Sequence, residues 1–152
     1  MSTLACGCPG AHVRTSERQE NQQNESQGKL ASELRQWPTQ LQLVPPTAPY
    51  LQKAHLLIAA DCVPFAYADF HRDFIKGRVL VNACPKLDDT SPYVEKLAAI
   101  IAQNDLQSIT VTIMEVPCCR GLAMLAQRAL QQSGRNVPLE IVVIGVDGQR
   151  RS

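Results

Sequence analysis

Charge is scarce in this chain of 152 residues: Asp, Glu, Lys and Arg together make up 19%, below the roughly 25% typical of soluble domains. Neither sign prevails. The 15 basic and 14 acidic residues leave a formal net charge of +1, which argues against a general electrostatic binder of nucleic acid or of an anionic membrane. Long apolar runs are also missing. The longest apolar-rich stretch, residues 55–70, is interrupted by Asp61, Pro64 and Asp69 and falls short of the roughly 20 residues of a membrane span. Residues 1–18 contain no apolar run of signal-peptide length, so the expected location is the reducing cytoplasm. No G-x-G-x-x-G, no P-loop and no G-x-S-x-G occurs, which leaves dinucleotide, nucleoside-triphosphate and α/β-hydrolase readings without their motifs.

Cysteine is present, at a level that means something. Six cysteines among 152 residues, about 4%, are too few for a disulfide-built scaffold, where the share usually exceeds roughly 8–10%. The 45% of hydrophobic residues supply an ordinary core, so the thiols are not needed as staples. In a reducing compartment, clustered cysteines serve more often as metal ligands or redox thiols.

Two regions differ in composition. Residues 1–28 form an N-terminal arm. Within it residues 14–28 (RTSERQENQQNESQG) lack any aliphatic or aromatic side chain and read as a flexible tether, because they cannot bury enough apolar area to offset their ordering entropy. Ahead of the tether lies the island Cys6-Gly7-Cys8-Pro9-Gly10. Residues 29–152 read as a single α/β domain. Leu30, Leu34 and Trp37 fall on one helical face that Pro38 would end. Residues 41–44 (LQLV), 55–60 (HLLIAA), 78–83 (RVLVNA), 108–114 (SITVTIM) and 139–145 (LEIVVIG) are strand-like. Their continuous apolarity points to a parallel sheet covered on both faces. Helical patterns fall between them at residues 69–76, 92–104 (opened by Ser91-Pro92) and 121–132. Alternating strands and helices predict a three-layer α/β sandwich with a mostly parallel sheet of about five strands, Rossmann-like or flavodoxin-like.

On this map the thiols fall into place. Cys62 follows the HLLIAA strand by two residues, Cys84 follows RVLVNA directly, and Cys118 and Cys119 follow SITVTIM and open the next helix. All four sit at the carboxyl ends of parallel strands, the edge where open α/β sheets bind ligands. Neighbouring strands lie about 4.8 Å apart, so thiols from three of them converge across roughly 10 Å, a span suited to an iron–sulfur cluster or, with loop adjustment, to tetrahedral zinc. Core filling is the plainer reading of any one of these cysteines. Both thiols of Cys118-Cys119 can serve one site only if the backbone turns sharply there. Lys86 and Arg120 stand beside crevice cysteines, either as solvated loop-tip cations or as positive charge for an anionic cluster. Asp88-Asp89 reads as turn and capping chemistry, His55 as a surface residue, and Val146-Asp147-Gly148 as a turn.

The segments SELRQWP (residues 32–38), LQLVPPTAPY (41–50), LLIAADCVPF (56–65), ACPKLDD (83–89) and MEVPCCRG (114–121) resemble the C-terminal domain of a family of bacterial 4Fe–4S ferredoxin-type proteins, mostly from anaerobes. Cys8-Pro9-Gly10-Ala11 resembles the island that precedes that domain. The upstream ferredoxin domain, with its two C-x₂-C-x₂-C-x₃-C-P runs, has no counterpart in this sequence. The resemblance implies a redox context and carries over only the matching cysteines: Cys62, Cys84, Cys118, Cys119 and, more loosely, Cys8. The expected function is a 4Fe–4S-type cluster-binding electron-transfer module held by Cys62, Cys84, Cys118 and Cys119, with Cys8 as an extra ligand and a redox protein as partner. The alternative is a cytosolic zinc-binding or thiol-redox domain with a structural, sensing or docking role. No general base is placed beside a nucleophile, so catalysis has no argument here.

Overall fold

The computed structural model describes residues 9–17 and 28–151. Two short strands, β1 (Arg14–Thr15) and β2 (Gln36–Trp37), pair antiparallel. The main sheet contains β3 (His55–Ala60), β4 (Val79–Ala83), β5 (Ser108–Met114) and β6 (Leu139–Ile144). Between them come α1 (Val63–Ala66), a π-helical turn at His71–Ile75, α2 (Tyr93–Gln103) and α3 (Arg120–Ser133).

The four strands are all parallel, in the order β4-β3-β5-β6. Their composition accounts for this. From Leu56 to Ala60 and from Ile109 to Met114 every side chain is buried, as expected of central strands covered on both faces. The chain leaves β3 toward β4, then crosses back past β3 to β5 and on to β6. Right-handed crossovers put α2 and α3 on one face and the β3–β4 connection on the other. The packing of α2 against α3 agrees. The core between the layers includes Leu97, Ile101 and Leu122 from these helices, and Phe70 and Phe74 from the β3–β4 connection.

The three-layer α/β architecture is therefore as expected, with four strands in the main sheet rather than about five. Residues 41–44 form a turn, not a strand. The Gln40 carbonyl accepts the N–H groups of Leu43 (2.9 Å) and Val44 (3.2 Å), its side-chain oxygen accepts that of Gln42, and Pro45-Pro46 offers no donor to a ladder. Leu41 and Val44 are buried all the same; hydrophobicity marked burial and not conformation. The helix expected from Leu30, Leu34 and Trp37 is absent too. Instead Gln36 is buried beside β4, its amide donating to the Leu80 carbonyl at 2.7 Å and to the Pro38 carbonyl at 3.3 Å. A tertiary hydrogen bond to β4 outweighs a weak local helical preference.

The arm is tied down at its described end. Besides the β1–β2 pair, the Trp37 indole N–H donates to the Gly10 carbonyl and the Ser16 N–H to the Arg35 carbonyl at 2.8 Å. The remainder of the tether, residues 18–27, and both arm cysteines, Cys6 and Cys8, lie outside the described residues. Among the described residues no helix is long and apolar enough to cross a membrane.

Candidate functional site

The sheet order places a topological switch point between β3 and β5, whose chains depart in opposite directions, and ligand crevices in open α/β sheets form there. Cys62 stands at the end of β3, as the residue that opens α1, and is exposed. Beyond β5 the backbone makes a 3₁₀ turn over Pro117–Cys119 before α3 begins. This is the sharp turn that two adjacent cysteines need in order to serve one site. Pro117 starts it with its fixed φ, and the Cys119 N–H closes it on the Val116 carbonyl at 3.1 Å. Cys118 is exposed and Cys119 buried.

Cys118 and Cys62 are near enough to act electrostatically on Cys119. Burial, followed by these two neighbouring thiols, pushes the Cys119 thiol above its ordinary value against the pull of a backbone hydrogen bond at Met114. Cys62, Cys118 and Cys119 thus stand beyond the carboxyl ends of the two strands that flank the switch point.

Cys84, at the end of β4, belongs to a network of its own. The Asp88 carboxylate accepts the Cys84 N–H at 3.0 Å, the Tyr93 hydroxyl at 2.7 Å and the Gln40 amide at 3.2 Å. The Cys84 sulfur accepts the Leu87 N–H at 3.4 Å. This loop nevertheless reaches α3: a Cβ on Gly121 would lie 3.3 Å from the Pro85 Cβ. The close approach of Pro85 to a bare helix turn explains a glycine just inside α3.

The neighbouring carboxylates are committed to holding loops. Asp61 accepts the Asn82 amide at 2.8 Å, while Asp89 holds Ser91, so Ser91 does not cap α2, whose cap position is Pro92. Glu115 and Asp147 grip Arg151 at 3.2 and 3.0 Å, closing the hairpin after β6 in which the Gly148 N–H meets the Gly145 carbonyl. Gly148 has φ of 83°, and a Cβ there would lie 2.7 Å from the Ala66 carbonyl oxygen, so the hairpin is seated on α1. His55 is exposed and bonded to Ser108 at the opposite, amino end of the strands.

The donor set fits a soft cation or an iron–sulfur cluster in its chemistry: thiols beyond the strand ends of one edge, with backbone N–H groups on two of the sulfurs. Its geometry is not that of a closed centre. Among the described residues, no group of three or more His, Cys, Asp or Glu side chains could hold a metal ion as it stands.

Residues 48–150 match the Rossmann-like domain family. The chain belongs to that family. A protein of Archaeoglobus fulgidus, known only as an uncharacterized protein, is 34% identical to this Rossmann-like domain over 116 residues, which is 76% of this chain and 81% of that one. No solved structure matches it. The family match ends at the carboxyl-edge hairpin and covers all four described cysteines, while β1 and β2 lie before it.

Proposed function

We propose that this Rossmann-like domain is a 4Fe–4S-type cluster-binding redox module of the cytoplasm, using Cys62, Cys84, Cys118 and Cys119 as thiolate donors, with Cys8 as an extra one and a redox protein as its partner. The observation that carries the reading is the placement of Cys62, Cys118 and Cys119 beyond the ends of the two strands that flank the β3/β5 switch point. The resemblance of the thiol-bearing segments to ferredoxin-type proteins supports it. When bound, the cluster supplies one-electron transfer; the chain supplies the environment. Cys119 is buried and Cys62 and Cys118 are exposed, so the crevice offers one sheltered and two solvent-facing donors. The Leu87 N–H on Cys84 and the backbone at Met114 on Cys119 stabilise sulfur-centred negative charge, one of the protein's means of raising a cluster potential. The test is anaerobic purification followed by iron, acid-labile sulfide and visible spectroscopy. Iron and sulfide in equal amounts, with absorption lost in Cys62→Ser and Cys118→Ser, are expected. A colourless, iron-free protein that also fails reconstitution refutes the reading.

The adjacent pair Cys118–Cys119, set in one 3₁₀ turn with one residue exposed and the other buried, favours a second reading, a zinc or thiol-redox site. One zinc without sulfide would establish the metal version. Loss of two titratable thiols on mild oxidation, restored by reductant, would establish the disulfide version.

A further inference from the structure

Residues 84–88 form a turn that closes on Cys84 from three sides. The Cys84 N–H donates to the Asp88 carboxylate at 3.0 Å, its carbonyl accepts the Asp88 N–H at 3.0 Å, and its sulfur accepts the Leu87 N–H at 3.4 Å. Asp88 thus closes the turn twice, with its own backbone and with its side chain. The same carboxylate oxygen is held from outside. It accepts the Tyr93 hydroxyl at 2.7 Å, from a fully buried side chain of α2, and the Gln40 amide at 3.2 Å. Gln40 itself is bridged to Asn82 of β4. The turn is thereby tied both to the helix that follows it and to the chain that runs beside β4.

The place of the sulfur in this turn carries the inference. A neutral thiol is a weak hydrogen-bond acceptor, whereas the same N–H on a thiolate makes a charge-assisted bond roughly twice as strong as a neutral one. Cys84 is also only half-buried, a position open to a ligand in a way that a core-filling thiol is not.

We propose that Asp88 is the positioning residue of the Cys84 donor: it holds residues 84–88 in the shape in which the sulfur receives the Leu87 N–H and is preorganised to bind a soft cation or cluster iron. The identity of the bound group rests on the redox reading above, whereas the dependence of Cys84 on Asp88 does not. The turn takes an acceptor oxygen from Asp88 and not its charge, because the three donors on that oxygen, a backbone N–H, a phenol and a side-chain amide, are all neutral. An uncharged residue with the same oxygen therefore suffices in its place.

The probe is cobalt(II), added anaerobically to the full chain after its iron, sulfide and zinc have been measured and chelated. Its sulfur-to-metal charge-transfer absorption grows with the number of thiolates bound. Asp88→Ala should bind cobalt about 10–100-fold more weakly, the usual loss for the outer partner of a ligand, and show the diminished band of Cys84→Ser. Asp88→Asn should restore both the affinity and the band, which a role resting on negative charge does not allow. Circular dichroism separates loss of the donor from loss of the fold. If Asp88→Ala does not fold, Tyr93→Phe, which unties Asp88 from α2, takes its place and should weaken cobalt binding in the same sense. Unchanged binding in whichever of these two variants is used overturns the proposal. So does an undiminished band in Cys84→Ser, an Asp88→Asn chain that binds less tightly than wild type by tenfold or more, or a wild-type chain that takes up no cobalt. Cobalt held through Cys84 by a chain that carries no iron or sulfide and fails reconstitution sinks the cluster and keeps the proposal.

Discussion

Asp88 shows how much one side chain organises at this site. It receives the Cys84 N–H, the Tyr93 hydroxyl and the Gln40 amide on the same oxygen. It therefore fixes the β4 loop, the first turn of α2 and the turn beside β4 together. Asp88→Ala leaves those donors without their acceptor and should destabilise the fold by about 2–4 kcal/mol, measured by urea unfolding, while loosening Cys84. Tyr93 is fully buried, and burial pushes its hydroxyl up to about 12. A folded-state value above the unfolded value of roughly 10 means that stability is intact below pH 10 and falls as pH rises from about 10 to about 12. Tyr50, raised to about 12 by burial, adds to the same slope. Tyr93→Phe should lower stability at neutral pH, through its lost bond to Asp88, and flatten the alkaline decline. Unfolding curves between neutral pH and pH 12 separate the two effects.

At the scale of elements, the β4 loop that bears Cys84 meets the first turn of α3 through Pro85 and Gly121. Gly121→Ala places a methyl group 3.3 Å from Pro85, a tight contact set against a helix-propensity gain of up to about 1 kcal/mol; the net change should stay within about 1 kcal/mol. Gly121→Val adds branches that must push Pro85 away, costing about 1–3 kcal/mol, and should reduce metal uptake more than Gly121→Ala does. Metal content measured beside unfolding free energy checks this. Equal metal uptake in both variants would mean that Cys84 does not contribute to the site.

At the scale of the molecule, the described part of the arm, residues 9–17, is held to the chain around β2 by few contacts. The described contacts are the β1–β2 pair and a few hydrogen bonds at Gly10, Trp37, Ser16 and Arg35. A chain beginning at Lys29 should therefore still unfold cooperatively, with a loss of about 1–3 kcal/mol, a few net hydrogen bonds' worth. Chemical denaturation of the two lengths measures it. Iron uptake that drops with the arm removed would assign a ligand role to its cysteines, whereas unchanged uptake would confine the site to the four thiols of the domain.

Much of the fold was legible in local pattern. The boundaries of β3 and β5 follow from runs of apolar and β-branched residues, in which even Thr110 and Thr112 of β5 are buried. Gly134, with φ of 70°, ends α3, as Ser133-Gly134 indicates in the sequence. The presence of four cysteines just beyond strand ends was readable in the same way. Their grouping was not. Whether Cys118 and Cys119 share a site depended on the 3₁₀ turn at Pro117, and the neighbour of Cys62 depended on β3 lying between β4 and β5. Strand order arises from long-range pairing that leaves no trace in local periodicity. The failed helix at residues 29–37 and the failed strand at 41–44 have the same origin: the Gln36 and Gln40 side chains form hydrogen bonds that no apolar spacing announces. By itself the sequence determined which segments are buried strands and helices, because periodicity and burial are local properties of the chain. Only the tertiary structure decided that the strands bearing Cys62 and the Cys118–Cys119 pair lie side by side at the β3/β5 switch point while Cys84 is held in a separate loop, because that depends on which strands pair and how their connections cross.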